Sequence, residues 1–276
     1  MQCSGPEHTK QSNNISRILD PIDSDWLEKF YRDLFLDGPM IYTLLGSKPM
    51  SCHEIIDANE EEWIRAHEMF FDAVPESKKE KIRKEFLEEI QNYTLHEHWI
   101  KWKCIRSRFP NQEFLFREIL SESPHLYFVC VVNTKLVIKM LLQHYDLFRK
   151  ELGFDFDPLS AALEFEKEDS IFWKKLFANH FLQGILYGFG LENAYFFSQE
   201  NQRKGEKSIE SVFKRRSLPV NDGIIEIPRF ASYQVEEGED LVIARYQKER
   251  TEIQKKIIEN NWVELISALL LDKRAS

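Results

Sequence analysis

Apolar residues recur at helical spacing along most of this chain. Leu27, Phe30, Tyr31, Leu34 and Phe35 follow the i, i+3, i+4, i+7, i+8 pattern of a one-sided helix. Its start is expected at Ser24-Asp25, with Asp25 as cap and Glu28 three residues on, and its end at Gly38-Pro39. Asn59 and the acidic run Glu60 to Glu62 open a second helix, whose inner face is expected from Trp63, His67, Phe70 and Phe71. After Pro75, Ile82, Phe86, Ile90 and Tyr93 predict a longer helix packed on it. Thr134 starts another, which Gly153 ends as a C′ glycine, and Asp157-Pro158 opens the next. Trp173, Leu176, Phe177, His180, Phe181 and Ile185 mark the most apolar helix, expected to be central and to stop at Gly188-Phe189-Gly190. Towards the C-terminus, Val242, Tyr246, Ile253 and Ile257 form an apolar stripe, and a last helix runs from Trp262 to Leu271.

The period changes in two places. Phe114 to Phe116 and Leu126 to Val132 are short β-prone runs separated by Ser121 to Pro124, the pattern of an antiparallel hairpin. Ile41 to Ser51 reads as a short strand or tight loop pair, since Pro49 opposes helix. The fold class that follows is mainly α (α+β): a multi-helix globular domain with a small antiparallel β hairpin or sheet. Residues 1–20 lack periodicity and are expected to be a disordered tail. Residues 21–276 would form one domain, with 201–240 a long irregular excursion.

Composition narrows the functional classes. The formal charge is −9, which disfavours nucleic acid as a partner. The longest uncharged stretch, Leu176 to Leu191, holds Asn179, His180 and Gln183, so it reads as a buried helix and not a membrane span. No signal-peptide pattern opens the chain, and a cytoplasmic location is expected. An envelope-attached or secreted form is the alternative if a leader was lost upstream, with Cys3-Ser4-Gly5 as a lipoprotein-like start. Cys3, Cys52, Cys104 and Cys130 make no CxxC pair, and free thiols in a reducing compartment are expected.

Motifs that carry chemistry are sparse. His96-Glu97-His98 could hold a metal only from an extended segment; on a helix the two imidazoles diverge, and they read as solvent-exposed. Gly184, Gly188 and Gly190 lack the order of a dinucleotide-binding loop and suit close helix packing followed by a C-cap. Trp99, Trp102 and Phe109 interleave with Lys101, Lys103, Arg106 and Arg108, but helical spacing places the aromatics on one inward face. Membrane contact through this segment is a minor alternative. No metal and no cofactor is expected.

Three segments carry a resemblance: Ile41 to Ser51 (IYTLLGSKPMS), Gly184 to Ala194 (GILYGFGLENA) and Arg229 to Tyr233 (RFASY). Across residues 25–270 the chain resembles a family of proteins from chlamydia-like obligate intracellular bacteria to which no activity is attached. The resemblance implies no catalytic residues, but it implies a place: Tyr42, Gly46, Lys48 and Pro49 meeting Gly188, Gly190 and Asn193. A non-catalytic structural or protein-interaction role is the first reading. The rival is an enzyme, possibly a hydrolase, with a pocket near Lys48, His180 and Asn193; Tyr42, Lys48, His180 and Asn193 are the candidate binding residues.

Overall fold

In a computed structural model, residues 24–58, 60–66, 74–107, 111–121, 125–203, 224–233 and 240–271 are described. The expected tail 1–20 lies outside them, as do His67, Phe70, Phe71, Phe109, the side chain of Trp63, and most of the excursion expected at 201–240.

The chain enters through α1 (Ser24–Tyr31), which continues as a π-helical turn, Arg32–Leu36. The wider turn lets three consecutive apolar residues, Leu34, Phe35 and Leu36, all reach the core. Next come α2 (Ile41–Leu45), β1 (Met50–Ile56), α3 (Glu60–Ala66), α4 (Glu76–Asn92) and α5 (Leu95–Arg106). The strands β2 (Phe114–Leu120) and β3 (Leu126–Asn133) follow. Asn133 then caps α6 (Thr134–Gln143) by accepting from the Leu136 amide. A kink at His144 separates α7 (Tyr145–Leu152), which Gly153 closes at φ 78°. Asp157 caps α8 (Pro158–Leu163), Ser170 caps α9 (Ile171–Phe177) and Asn179 caps α10 (His180–Leu186). The chain finishes with α11 (Leu191–Arg203), α12 (Leu241–Glu259) and α13 (Trp262–Leu271).

The three strands form an antiparallel sheet in the order β1-β3-β2, with Cys52 opposite Cys130 and Phe114 opposite Asn133. Each face packs against a core, which explains the nearly unbroken apolar run of β3. Val129 and Val131 point with Ile55, Phe114 and Phe116 into one core, which α1, α2, α5, α12 and α13 complete. Phe30, Tyr31, Phe35, Trp99 and Trp102 fill it with interlocking rings. Cys130 and Val132 point with Met50 and Leu115 into a second core, covered by the helices from α6 to α11. The mainly α class with a small antiparallel sheet is therefore the observed one.

Several local expectations change. Ile41–Leu45 is a helix, not a strand: the amides of Tyr42 and Thr43 donate to the carbonyls of Pro39 and Met40, and four of its five residues are buried. The third strand comes instead from Met50–Ile56. Cys52 and Cys130 are joined as a disulfide, not free, because the β1–β3 register sets them directly opposite with Cα atoms 4.0 Å apart. His98 is buried, with its ring against Trp26 and Nδ1 paired with Thr94, instead of lying in solvent. His96 turns the other way, towards Tyr127 and Asp57, so the two imidazoles do not converge. The apolar helix expected through Trp173 and Ile185 is two helices, broken where Asn179 accepts from the Leu182 amide. That break turns His180 outward, and it is exposed.

Candidate functional site

The sheet's second face is not fully covered. Cys52, Ile119, Phe128 and Cys130 form one wall of a cavity of about 590 Å³. The opposite walls are α9 through Phe177, α10, the start of α11, and the segment Arg229 to Ala231. Phe189, Phe197 and Phe230 add further rings, and Phe189 stacks on Phe230 at 5.1 Å. Such a volume lies within the range of small-molecule sites, and an apolar lining with few polar groups is their usual character.

Two glycines let the walls assemble. A Cβ on Gly184 would lie 2.7 Å from the Ala194 Cβ, so α10 and α11 can touch only because glycine stands there. Gly188 has φ +73°, and a Cβ there would sit 2.4 Å from the Tyr246 hydroxyl. Its carbonyl accepts from Arg245 at 2.7 Å and from Tyr246 at 3.0 Å, which closes the exposed end of α10.

Lys48 reaches the same helix end. The turn before it is fixed by the amides of Gly46 and Lys48, both donating to the Tyr42 carbonyl, and by the Ser47 amide donating to Glu249 at 3.1 Å. Lys48 Nζ donates to the Tyr187 carbonyl and lies 5.1 Å from the Tyr187 ring centre and 4.6 Å from that of Phe189. The side chain is buried yet lines the cavity, and among the described residues it has no carboxylate partner. Burial pushes its pKa well below the ordinary lysine value, and the Arg245 charge pushes the same way. Beside it, the Tyr187 hydroxyl donates to Cys52 Sγ at 3.2 Å; burial raises that phenol to about 12.

Asn193 is buried at the cavity wall with its amide fully engaged. Its Nδ2 donates to the Phe189 carbonyl and to Asp240, each at 3.0 Å, and its Oδ1 accepts from the Tyr233 amide at 3.0 Å. It therefore fastens the 230–233 segment and the start of α12 to α11. Burial alone would raise the Asp240 carboxyl, but hydrogen bonds from Ser232, Asn193 and the Val242 and Ile243 amides outweigh it and hold the pKa below the usual range.

The structure thus brings Lys48, His180 and Asn193 to one cavity. His180 stands exposed with its ring 6.5 Å from that of Phe197, not among core residues as its apolar neighbours suggested. Tyr42 is apart from them: it packs in the first core, its ring edge-on to Tyr246 at 5.4 Å, and its buried hydroxyl has no hydrogen-bond partner among the described residues. The sequence reading missed Tyr187, Phe230 and the Cys52–Cys130 pair. Tyr187 adjoins the glycines already singled out and was the legible one. Among the described residues no three His, Cys, Asp or Glu side chains cluster as a metal site. No described helix is long and apolar enough to cross a membrane, and Trp99 and Trp102 face the core.

Compared with protein-family models, curated proteins and solved structures, the chain matches none.

Proposed function

We propose that the protein binds a small, largely apolar molecule in the cavity between the sheet and α9–α11, and that this binding is its role. The observation that carries the reading is the cavity itself: about 590 Å³, walled by Phe128, Phe177, Phe189, Phe197 and Phe230, with the buried amine of Lys48 at its wall. Apolar walls supply affinity in proportion to the surface they remove from water, and a single polar anchor supplies orientation. Gln183 donates to the Phe177 carbonyl and Asn193 is fully engaged, so neither is set up as an acid, base or nucleophile. The apolar cavity supports a small ligand over the protein partner expected from sequence.

The test is a fluorescence titration with 2-naphthalenemethanol, compared with an Ala231→Trp variant. Ala231 lines the cavity and is only half-buried, so an indole there fills the space without entering a packed core. Saturable binding that weakens about tenfold or more in the variant, the equivalent of about 1.4 kcal/mol, supports the reading. Equal affinity in both proteins, or no binding to either, refutes it.

A further inference from the structure

We propose that Lys48 captures the carbonyl group of an apolar aldehyde or ketone in this cavity as a protonated imine. The inference rests on the apolar-ligand reading above and names the ligand's reactive group.

The geometry selects Lys48 among the groups on the cavity wall. Cys52 and Cys130 are bonded to each other, Gln183 and Asn193 are engaged with carbonyls and Asp240, and His180 stands exposed. The Lys48 amine reaches the wall from the rigid turn at 46–48 and keeps one N–H on the Tyr187 carbonyl. A hydrogen bond of that kind uses a proton of the amine and leaves the lone pair available. Ring faces of Tyr187 and Phe189 flank the nitrogen, and an apolar carbonyl compound can lie against them. A buried lysine without a counter-ion, close to another cation, is the arrangement that keeps an amine neutral and nucleophilic. Burial and Arg245 both act in that direction here.

The step balances without a redox partner. The lone pair of Nζ adds to the carbonyl carbon, the C=O π pair moves onto the oxygen, and that oxygen takes up one of the two protons of the nitrogen to give a neutral carbinolamine. A second proton on that oxygen lets it leave as water while the C=N bond forms. Amine, carbonyl compound and one net proton give iminium and water. The iminium retains an N–H that can stay on the Tyr187 carbonyl.

The experiment uses the full chain with 2-naphthaldehyde and borohydride, and 2-naphthalenemethanol as the matched ligand that cannot form an imine. The expected result is one naphthylmethyl adduct per chain, mapped by peptide mass spectrometry to the segment holding Lys48. Its formation should persist at pH values where surface lysines are protonated, since each unit of lowered pKa raises the neutral fraction about tenfold. The Lys48→Arg variant should lose the adduct. Should that variant fail to fold, the wild-type peptide map still decides. Binding of the alcohol with adducts spread evenly over surface lysines would overturn the imine while leaving the apolar-ligand reading intact. Failure of the alcohol to bind would overturn both.

Discussion

Asn193 shows how one side chain can hold an otherwise irregular segment. Its three hydrogen bonds connect α11, the 230–233 strip and the N-cap of α12, where Asp240 accepts from the Val242 amide. Asn193→Ala leaves the Tyr233 amide and the Phe189 carbonyl short of a partner in a buried place. We expect a loss of about 2–4 kcal/mol in urea unfolding. Buried bases give a pH signature. Burial lowers the pKa of His53 and of His98. As pH falls through the ordinary histidine range the unfolded chain takes up protons that the native chain refuses, so stability drops. The urea midpoint should be lower at about pH 5 than at about pH 7.5. Lys48 has the same sign in a more alkaline window: its penalty is relieved as pH rises towards the ordinary lysine value. Lys48 and Asn193 were singled out through the resemblance, and both line the cavity. His180 was misjudged because the Asn179 cap, a side-chain event, rotates it away from the apolar face that the spacing implied.

At the scale of elements, amphipathic helices were readable and the third strand was not. Phe114–Leu120 and Leu126–Asn133 carry their β character in runs of apolar residues. Met50–Ile56 interposes Ser51, Cys52, His53 and Glu54 between its apolar ends, since it is an edge strand with one neighbour. Ile41–Leu45 misled in the opposite sense: buried all round, it shows no helical period. The disulfide follows from register, which no local pattern contains. It joins residues 78 apart, and a native disulfide typically contributes about 2–4 kcal/mol. Reduction should lower the calorimetric melting temperature by roughly 3–7 °C; an unchanged melt with both thiols titrating free would contradict the pairing. The end of α10 offers a second check. Gly188→Ala meets both an unfavourable φ and the Tyr246 hydroxyl. It should cost about 2–3 kcal/mol in chemical unfolding, whereas Gly153→Ala, with open space around it, should cost only the φ strain of about 1 kcal/mol.

For the whole molecule, the decisive feature is a sheet whose two faces are covered to different extents. One is sealed by a dense aromatic core around Trp102, and the other is left partly open beside Lys48. Which helices cover which face depends on long-range packing, so neither the two cores nor the opening on the second face could be read from periodicity. What the chain did disclose was the pair of segments that meet there, at Lys48 and at Gly184 to Asn193. The most direct test is an NMR measurement of intermolecular NOEs between 2-naphthalenemethanol and the protein. Binding in the cavity predicts NOEs from the naphthalene protons to the rings of Phe128, Phe189 and Phe230 and to the Ile119 methyls. NOEs confined to exposed apolar side chains elsewhere, such as Leu120 or Ile258, would contradict it.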